Sequence, residues 1–553
     1  MLMTGAQIIV EVLLEQGVDT VFGYPGGTVL HIYDELYRNS HRIKHYTTCH
    51  EQGAAHAADG YARATGKPGV VIATSGPGAT NLVTGIASAY FDSSPVVAIT
   101  GNVANGLLGR DSFQEVDIAG VTMPITKHNY IVKDLTKLAD TLREAFAVAC
   151  SGRPGPVLVD IPKDVQINKI EFYPPNRSSA KEPTPSEADL ERAIELLLQA
   201  KRPYVYCGGG VVISDASEEL KRFAERIDAP IGTSMMGLTA VPNGYPRFLG
   251  MMGMHGRYAA TKALNESDLL IAVGTRFSDR ATGNKTEFSQ GRNVLQIDID
   301  PAEISKNIYA HTSVIGNMKA VLHILTERIP KMLHPEWMQQ VEAMKTDPQN
   351  DLQMCASKLT PQVIIEGARA HMGESDIVAT DVGQHQMWTT MYYKFEKPRT
   401  FVTSGGLGAM GFGMGAAIGA SIAKGKKRVL LFTSDGSFHM NLNELATAVS
   451  NDLPLIIVVL NNGVLGMVRQ WQSLFFDARY SCTTLNRKTD FVKLAESFGA
   501  VGMRATTPEE YESCIAKTFT YTTPVLVDCT IDCDERVLPM IPPGGSINDI
   551  ILR

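Results

Sequence analysis

Ten short apolar runs, rich in β-branched residues, recur along the chain, and each is followed by a helical pattern. Their hydrophobicity is continuous rather than alternating, which indicates strands buried on both faces, as in parallel α/β sheets. The runs are Val70–Thr74, Val96–Thr100, Val157–Ile161, Val205–Cys207, Leu269–Val273, Val294–Ile299, Ile377–Thr380, Val429–Thr433, Leu455–Leu460 and Val525–Val527. The sequence therefore predicts an α/β fold of doubly wound parallel sheets, in which ligands gather just after the strands.

Two segments are interpreted as linkers between domains. Tyr173–Ala188 is rich in proline and serine, and Pro330–Pro361 contains four prolines with few apolar clusters. A chain of 553 residues is long enough for about three domains. We therefore expect an N-terminal domain at 1–175, a central domain at 185–335 and a C-terminal domain at 360–553.

Charge and composition exclude several classes of protein. The 51 basic and 58 acidic residues give a net charge of −7, and no dense basic stretch suggests a nucleic-acid partner. The longest apolar run, Leu453–Leu460, is far shorter than the roughly 20 residues of a membrane span. The N-terminus predicts an amphipathic helix without the features of a signal peptide, and the eight cysteines form no CxxC motif. These features predict a cytoplasmic protein with reduced thiols.

The strongest chemical signal lies in the third domain. The run Val429–Thr433 leads into Ser434-Asp435-Gly436-Ser437, and the next run leads into Asn461-Asn462. Asp435 and Asn462 are 27 residues apart, about one strand–helix–strand crossover, so both should lie at neighbouring strand ends. Carboxylate and amide oxygens suit Mg²⁺, which fills its remaining positions from phosphates. An ordinary strand-end turn is the alternative, but the combination favours a metal–diphosphate site.

A glycine-rich stretch in the third domain resembles the motif of a different class of binding site. Gly406–Gly411 matches the GxGxxG pattern of dinucleotide-binding folds. The acidic residue expected about 20 positions further on, at the end of a second strand, is missing. The match alone is therefore weak evidence for a nicotinamide or flavin site here.

The Asp435–Asn462 pattern resembles the thiamine diphosphate enzymes, whose hallmark is Gly-Asp-Gly followed by Asn-Asn. The resemblance implies that Asp435 and Asn462 are Mg²⁺ ligands, with a backbone carbonyl near Val464 as the third. Ser434 replaces the first glycine, which could tighten the turn. The stretch His50–His56 carries Glu51 at the position where the family places a carboxylate against the aminopyrimidine ring. Without that context, an acidic residue at a helix start would be read as a dipole partner.

The resemblance then narrows to the catalytic subunit of the acetolactate synthase (acetohydroxyacid synthase) family and covers nearly the whole chain. The matching stretches are FGYPGGTVLHIYDEL, HEQGAAHAADGYARATGKPGV, TSGPGATN, GRDSFQEVD, SGRPGPVLVDIPKDV, MMGMHG, VGTRFSDRATG, IDIDPAE, DVGQHQMW, SGGLGAMGFG, GMVRQWQ and VLPMIPPGGS.

The resemblance implies roles for individual residues near the reaction. Gly27 and Gln114 would stabilise an oxyanion, Phe113 would line the substrate site, and Lys127, which lies in a matching TKH stretch, would belong to the catalytic residues. Arg280 would pair with the carboxylate of a second 2-oxoacid. Met410 would wedge between the cofactor's two rings. The acceptor pocket would be shaped by Met254, Met467, Val468 and Trp471. Gln384 and His385 would approach the diphosphate. The other residues that would contact thiamine diphosphate are Gly408, Gly436, Ser437, Met440, Val464 and Gly466.

The central domain resembles the family's FAD-binding domain, in which the flavin is structural rather than redox-active. The residues that match its contacts are Arg153, Gly208, Gly209, Gly253, Met254, His255, Gly256, Gly274, Thr275, Arg276, Asp298 and Asn317. Several positions depart from the family pattern: Thr28, His31, Arg110, Ser112, Ser278, Gly415 and Asn317 stand where it usually has Ala, Pro, Thr, Ala, Asp, Pro and Asp. Ser278 and Asn317 flank the flavin site, whereas Thr28 and Arg110 lie near the reacting centre.

The expected reaction is decarboxylation of pyruvate on thiamine diphosphate–Mg²⁺ and condensation with pyruvate or 2-oxobutyrate, the entry to branched-chain amino acid synthesis. A homodimer or tetramer with its active site between subunits is implied, with a separate regulatory subunit possible. The alternatives within the cofactor class are the flavin-free synthase, glyoxylate carboligase and pyruvate oxidase. Glu51 disfavours the carboligase, and RFSDR and MVRQWQ disfavour the oxidase. A binding protein or a flavin/nicotinamide oxidoreductase are alternatives outside that class.

Overall fold

Three parallel β-sheets, each of six strands, form the framework of the protein. The computed structural model describes residues 1–173, 183–350 and 358–552. Within these ranges each large sheet is entirely parallel, and a small antiparallel pair of strands accompanies the first. Among the described helices, none combines the length and hydrophobicity needed to cross a bilayer.

The first sheet has the strand order β3-β2-β4-β5-β7-β6, and β1 pairs with β8 beside it. The strands of the six-stranded sheet are β2 (Thr20–Gly23), β3 (Lys44–Thr47), β4 (Gly69–Ala73), β5 (Val96–Asn102), β6 (His128–Ile131) and β7 (Val157–Pro162), and those of the antiparallel pair are β1 (Leu2–Thr4) and β8 (Lys169–Glu171). The helices are α1 (Gly5–Glu15), α2 (Leu30–Arg38), α3 (Glu51–Thr65), α4 (Pro77–Asn81), α5 (Val83–Phe91), α6 (Ile118–Thr122), α7 (Leu138–Cys150) and α8 (Lys163–Ile167).

The second sheet has the order β11-β10-β9-β12-β13-β14. Its strands are β9 (Pro203–Cys207), β10 (Ile231–Thr233), β11 (Phe248–Met251), β12 (Leu269–Val273), β13 (Asn293–Asp298) and β14 (Thr312–Ile315). The helices are α9 (Glu187–Gln199), α10 (Gly209–Ile213), α11 (Ser217–Arg226), α12 (Tyr258–Glu266), α13 (Asp279–Thr282), α14 (Lys285–Ser289), α15 (Met318–Arg328) and α16 (Pro335–Lys345).

The third sheet has the order β16-β15-β17-β18-β20-β19. Its strands are β15 (Ile377–Thr380), β16 (Phe401–Val402), β17 (Val429–Ser434), β18 (Leu455–Asn461), β19 (Val501–Ala505) and β20 (Val525–Thr530). The helices are α17 (Pro361–His371), α18 (Gln384–Tyr392), α19 (Phe412–Ala423), α20 (Asp435–Phe438), α21 (Glu444–Ser450), α22 (Gly466–Phe475), α23 (Phe491–Ser497) and α24 (Pro508–Thr518).

The sheets are covered on both faces, as the continuous apolar runs predict. In β9, Tyr204 and Tyr206 belong to one buried cluster, whereas Val205 and Cys207 belong to another on the opposite face. In β4, Val71 and Ala73 likewise face one cluster and Val70 and Ile72 another. Successive side chains of a strand point to opposite faces, so both faces of these sheets are buried by helices. The predicted α/β class with three doubly wound sheets is confirmed.

All ten apolar runs form strands, but one of the two predicted linkers is wrong in part. Within Pro330–Pro361, residues Pro335–Lys345 form α16, whose Trp337 is buried in the core of the central domain. The indole N–H of Trp337 donates to the carbonyl of Pro203 at 3.0 Å. The four prolines and the few apolar clusters of this segment concealed a short helix that is anchored by one large apolar side chain. Most of the other linker, and Asp351–Ser357 of this one, lie outside the described residues.

The first and third sheets are joined through a close contact between α3 and α19. A Cβ on Gly60 would lie 2.2 Å from the carbonyl oxygen of Ala416, and one on Gly419 would lie 1.8 Å from that of Ala57. These overlaps show that only glycine fits at the two crossings. The apolar residues of both helices belong to one buried cluster. The N-terminal and C-terminal domains of a single chain therefore share a core.

Candidate active site

The predicted metal ligands follow two strands that pair directly. In the parallel register of β17 and β18, Ser434 lies opposite Leu460, so Asp435 and Asn462 leave the sheet at the same edge. Ser434 has extended backbone (φ −126°, ψ 165°), and its hydroxyl accepts a hydrogen bond from the N–H of Ser437 at 3.3 Å. Serine at this position therefore caps α20 and needs no glycine geometry. The expected tightening of the turn is not observed.

Asp435 is a buried carboxylate with a free oxygen. It is 4% exposed, and its Oδ1 has no hydrogen-bond partner among the described residues. Burial raises the pKa of Asp435 to about 6, although the nearby N–H groups of Gly436 and Gly463 act in the opposite direction. A buried carboxylate normally has its hydrogen bonds satisfied or binds a cation. The unsatisfied oxygen thus fits a divalent cation in this position.

Asn462 and Gln384 lie on either side of Gly466, the first residue of α22. A Cβ on Gly466 would be 1.9 Å from Oε1 of Gln384 and 2.9 Å from Nδ2 of Asn462, so no side chain fits there. Oδ1 of Asn462 accepts the N–H of Val464 at 3.2 Å, which orients the amide. The amide of Gln384 donates to Gln470 at 3.0 Å, while its buried Oε1 has no partner in the part of the chain that the structure describes. Asn462, Val464, Gly466 and Gln384 are therefore brought together as predicted.

His385 adds a third unsatisfied polar atom in this region, after those of Asp435 and Gln384. The ring is buried, and its Nε2 has no partner among the residues that the structure describes. Burial lowers the pKa of His385 to about 3, so the imidazole is neutral at physiological pH. A neutral imidazole beside a cation site avoids charge repulsion, and because its one N–H donates to the backbone carbonyl of Asp381, Nε2 is left as a hydrogen-bond acceptor.

The loop that carries Met410 is fixed against the metal motif. The methyl carbon of Met410 would lie 4.0 Å from a Cβ on Gly436. The N–H of Gly411 donates to Oδ1 of Asp381 at 2.7 Å and is also 3.2 Å from the hydroxyl of Ser437. Asp381 is buried and additionally accepts the hydroxyl of Thr433 at 3.2 Å. Gly408 (φ 71°) turns the same loop, and Met440 is 55% exposed beside it.

Glu51 lies in the N-terminal domain as the first residue of α3. It is 8% exposed, and its Oε2 accepts a hydrogen bond from the amide of Asn81 at 2.9 Å. The other oxygen lies beside the turn that begins α4, where a Cβ on Gly78 would be 3.1 Å from Oε1. The helix start is capped by His50, whose ring accepts the N–H of Gln52 at 3.1 Å. One oxygen of Glu51 is thus held while the other faces a glycine.

Gln114 lies against the same turn, and Phe113 projects from it. A Cβ on Gly76 would be 2.9 Å from the Cα of Gln114, so the two backbones touch. Gln114 has φ 58°, a left-handed conformation that is strained for a residue with a side chain. Phe113 is 86% exposed in the isolated chain. Gln114 and Glu51 are therefore on the same side of the sheet, next to an uncovered aromatic ring.

Thr28, one of the residues that depart from the family pattern, stabilises the loop that carries Gly27. The Thr28 hydroxyl lies 2.9 Å from that of Thr74 and accepts the N–H of Ser75 at 3.0 Å. A Cβ on Gly27 would meet no described residue within 4 Å, so the backbone of Gly27 is uncovered by the described parts of the chain. The threonine is accommodated without disturbing this arrangement. The other nearby departure, Arg110, is exposed.

In this structure the side chain of Lys127 stabilises the C-terminus of α7. Its ammonium donates to the carbonyl oxygens of Val148 and Ser151, at 2.5 and 2.6 Å, at the C-terminus of α7. A cation suits that end of a helix because the carbonyl groups there carry partial negative charge. The catalytic role expected for Lys127 stays a prediction.

A cavity of about 890 Å³ lies where the three domains meet. Arg153 from the N-terminal domain reaches into it and donates to Glu303 at 2.7 Å and to Ser93 at 2.8 Å. Burial raises the pKa of Asp298, which follows β13, to about 6. The predicted flavin contacts that line the cavity are Arg153, Gly209, Gly274, Thr275, Arg276, Asp298 and Asn317.

The remaining predicted flavin contacts are placed around this cavity rather than in its lining. Gly208 allows two loops to touch, since its Cβ would be 2.1 Å from the carbonyl oxygen of Gly274. Gly253 and Met254 line a smaller neighbouring cavity of about 50 Å³, and His255 and Gly256 follow them. The departing residues Ser278 and Asn317 line the large cavity, and the Asn317 side chain accepts the N–H of Lys319 at 3.0 Å. The size and polarity of the lining fit a dinucleotide.

Arg280 and Trp471 are brought together from the central and C-terminal domains. The guanidinium carbon of Arg280 lies 5.4 Å from the centre of the Trp471 ring, within the range of a cation–π contact. Arg280 lines both cavities, and Met254 lines the smaller one. Met467 is partly buried and Val468 is exposed on α22. The predicted acceptor pocket therefore has its guanidinium and its indole in contact.

Three further residues hold this site and were not singled out from the sequence. Asn81 binds Glu51, Asp381 fixes the Met410 loop, and Glu444 on α21 reaches across to α3. Asn81 and Asp381 do lie in the stretches TSGPGATN and DVGQHQMW, which carried the family resemblance. No local sequence pattern pointed to Glu444, because its contacts are to residues almost 400 positions away.

Comparison with known proteins gives matches along almost the whole chain. Three family models match: the N-terminal TPP binding domain of thiamine pyrophosphate enzymes at residues 3–121, their central domain at 190–325, and their C-terminal TPP binding domain at 381–529. The chain is 45% identical to the acetolactate synthase isozyme 2 large subunit of Escherichia coli, covering 99% of each chain. It is 46% identical to the acetolactate synthase large subunit of Corynebacterium glutamicum, over 99% of this chain and 90% of the relative. A probable large subunit from Methanocaldococcus jannaschii is 44% identical, over 99% and 95%.

Proposed function

The chain belongs to the acetolactate synthase family of thiamine pyrophosphate enzymes, and on this premise we propose that it is a catalytic large subunit. It takes pyruvate, releases CO₂, and adds the remaining two-carbon unit to the carbonyl carbon of a second 2-oxoacid. With pyruvate as acceptor the product is 2-acetolactate, and with 2-oxobutyrate it is 2-aceto-2-hydroxybutyrate. This is the first common step of branched-chain amino acid synthesis.

The unsatisfied oxygen of Asp435 is the observation that carries the proposal. A buried carboxylate without a partner, beside the amides of Asn462 and Gln384 and the neutral ring of His385, suits Mg²⁺ with a diphosphate. Asp435, Asn462 and the carbonyl of Val464 would hold the metal. Bound thiamine diphosphate supplies the electron sink that allows the carboxyl group of pyruvate to leave.

Glu51 is proposed as the group that holds and passes a proton at the aminopyrimidine ring. Asn81 occupies Oε2 of this carboxylate, so we assign the proton to Oε1. Holding one oxygen fixes the rotation of the carboxyl group and lowers the entropy lost when the other acts. Gln114 and the backbone of Gly27, on the same side of the sheet, would donate to an oxyanion as it forms.

The second 2-oxoacid is assigned to Arg280. Its planar guanidinium can bind a carboxylate through two hydrogen bonds, and Trp471 supports it from one face. Met254, Met467 and Val468 would then contact the acceptor's alkyl group. This arrangement predicts that the preference between pyruvate and 2-oxobutyrate as acceptor depends on the space left beyond the guanidinium of Arg280.

We further propose a homodimer or tetramer whose active sites lie between subunits. Phe113, exposed beside Glu51, would be covered by the C-terminal domain of a second copy. The relatives are named large subunits, which supports a separate small regulatory subunit here. The substrates and cofactors are small and polar, in keeping with a cytoplasmic protein that needs no nucleic acid or membrane. Domain boundaries near 1–175 and 360–553 are part of this proposal, and the central domain, expected at 185–335, is extended to Lys345 because Trp337 of α16 packs in its core.

FAD is proposed as the ligand of the 890 Å³ cavity, in a structural rather than a redox role. Arg153 and Arg276 supply positive charge for a diphosphate, and Asp298 at a strand end suits ribose hydroxyl groups. Gly209 and Gly274 line the cavity, and a Cβ on Gly274 would lie 2.7 Å from the Cα of Gly210, so this glycine lets two stretches of the cavity wall touch.

The test is a cofactor add-back experiment. Purified protein is stripped of cofactors, and acetolactate formation from pyruvate is measured with thiamine diphosphate–Mg²⁺ and FAD added singly and together. We expect product only with both. Product with thiamine diphosphate–Mg²⁺ alone would reassign the chain to the flavin-free synthases, and no product under any condition would overturn the pyruvate assignment.

A further inference from the structure

Glu444 is a buried carboxylate of the C-terminal domain that binds the N-terminal domain. It is fully buried at the start of α21, nine residues after Asp435. Its Oε1 accepts the backbone N–H of His50 at 2.9 Å, and its Oε2 accepts that of Cys49 at 3.1 Å. These two amides immediately precede Glu51. One side chain therefore holds the backbone that leads into the predicted catalytic carboxylate.

The surroundings of Glu444 are built for an ionised carboxylate. Besides the two amides, the hydroxyl of Thr447 donates to Oε2 at 2.7 Å, and the amide of Asn443 lies 3.4 Å from Oε1. Burial raises the pKa of Glu444, while these hydrogen bonds oppose that change. Every described partner can donate, so a carboxylate satisfies all of them. A glutamine would instead place an N–H against one of the backbone N–H groups.

Glycine at position 53 makes room for this contact. A Cβ there would lie only 2.2 Å from Oε1 of Glu444. Gly53 is in the first turn of α3, where glycine is otherwise unfavourable for a helix. The close approach therefore explains why the catalytic helix carries a glycine two residues after Glu51.

We propose that Glu444 is a positioning residue that sets the orientation of Glu51 for proton transfer. Its two hydrogen bonds fix the backbone of Cys49 and His50, and any shift there moves the Cα of Glu51 directly. The carboxylate also meets the positive end of the α3 dipole. The inference rests on the proposed function, because it assigns Glu444 a role in the reaction assigned to Glu51.

The experiment uses two variants that displace the same carboxylate in different ways. Glu444→Gln changes its chemistry, and Gly53→Ala pushes it away from the amides by steric overlap. Thr447→Val is the matched control, since it removes one hydrogen bond to Glu444 but leaves both backbone amides bound. If Glu444→Gln does not fold, Gly53→Ala still decides the question, because alanine is intrinsically better than glycine in a helix.

Two measurements separate positioning from mere structural support. The first is hydrogen exchange of the Cys49 and His50 amides in the cofactor-free protein, followed by mass spectrometry. The second is the rate of proton exchange at the thiazolium carbon of bound thiamine diphosphate, compared with the affinity for thiamine diphosphate–Mg²⁺. We expect both amides to lose protection and the thiazolium exchange to slow about tenfold or more, with affinity changed less than about threefold. Thr447→Val should remain near wild type in all of these.

Two results would overturn the inference. One is unchanged thiazolium exchange in both Glu444→Gln and Gly53→Ala. The other is a loss of exchange that only parallels a loss of cofactor affinity and of thermal stability. If the wild-type protein exchanges the thiazolium proton but makes no acetolactate, the proposed function is refuted instead. The thiazolium exchange rates of the variants relative to wild type would still test the positioning role of Glu444.

Discussion

The two halves of the candidate site are held in different ways. The diphosphate half, around Asp435 and Asn462, lies at neighbouring strand ends of a single domain, and strand pairing sets its geometry. The half around Glu51 depends on Asn81 from another helix and on Glu444 from another domain. A site of the first kind follows from local sequence. A site of the second kind exists only once distant segments have packed.

The largest expected effect concerns the second half. Glu51→Gln should lower acetolactate formation by a factor of about 10² to 10⁴, because the amide cannot pass a proton. Affinity for thiamine diphosphate–Mg²⁺ should stay within about threefold of wild type, since the diphosphate half is intact. Steady-state rates and titration of cofactor binding measure the two quantities. Glu35→Gln, at an equally buried carboxylate of the same domain, is the control and should remain active.

Asp435→Asn should act on the first half, with opposite effects on activity and on the stability of the cofactor-free protein. With one metal ligand changed, activity should fall at least about 100-fold. Burial raises the pKa of Asp435 from 3.8 to about 6. Folding therefore disfavours the charged form of Asp435, and this lowers the stability of the cofactor-free wild-type protein. The destabilisation is absent below pH 3.8, grows up to about pH 6, and is constant above that pH.

The pH dependence of the stability of the cofactor-free protein tests the direction of this effect. Asp435→Asn should stabilise the cofactor-free protein by up to about 3 kcal/mol at pH 8, and by about half of that at pH 5. Thermal unfolding of both proteins at the two pH values measures the difference. Adding Mg²⁺ and thiamine diphosphate should reverse the order, because only the wild type gains from binding. A variant that is equally destabilised at both pH values would contradict the assignment of a buried, unsatisfied charge.

Asn81→Ala tests how far Glu51 depends on its neighbour. Loss of a hydrogen bond to a charged group typically costs about 1.5 to 3 kcal/mol, so we expect activity to fall roughly 10- to 100-fold. The loss should appear in thiazolium proton exchange as well as in turnover. Asn129→Ala, which removes an amide that binds the carbonyl of Ala119 elsewhere in the domain, is the control. Equal losses in both variants would show that Asn81 acts only through stability.

The smallest effect belongs to neither half. Trp471→Leu removes the ring beneath Arg280, a contact worth about 0.5 to 1 kcal/mol, and should raise KM for the acceptor about two- to fivefold. Competition between pyruvate and 2-oxobutyrate should reveal it as a changed product ratio. Unchanged KM and product ratio would remove Trp471 from the acceptor pocket.

Much of the framework could be predicted because buried parallel strands leave a clear sequence signal. All ten apolar runs form strands, and the crossover length placed Asp435 and Asn462 at one edge. The strands that were not predicted are mostly short or polar edge strands. Lys44–Thr47, His128–Ile131 and Val501–Ala505 each lie at or next to the end of a sheet, where one side is less buried. Their mixed composition does not distinguish them from loops.

The site was predictable to the extent that it follows the strands. Thr275 and Arg276 come just after β12, and Asp298 ends β13, so the strand pattern placed them beside one cavity. Asn81 and Glu444 could not be found in this way, since their partners are 30 and almost 400 residues away. Such contacts depend on the close packing of α3 on α19, which no local periodicity encodes.

The large cavity has a consequence for the amount of protein that a cell can maintain. Its walls come from all three domains, so a ligand that fills it strengthens three interfaces at once. Binding at about 100 times Kd adds about 2.7 kcal/mol to the stability of the folded state. Unfolded chains are removed by proteases, and a change of this size alters abundance several-fold. If the proposed FAD occupies this cavity, we expect its supply to raise the amount of the protein that accumulates, before any substrate is bound.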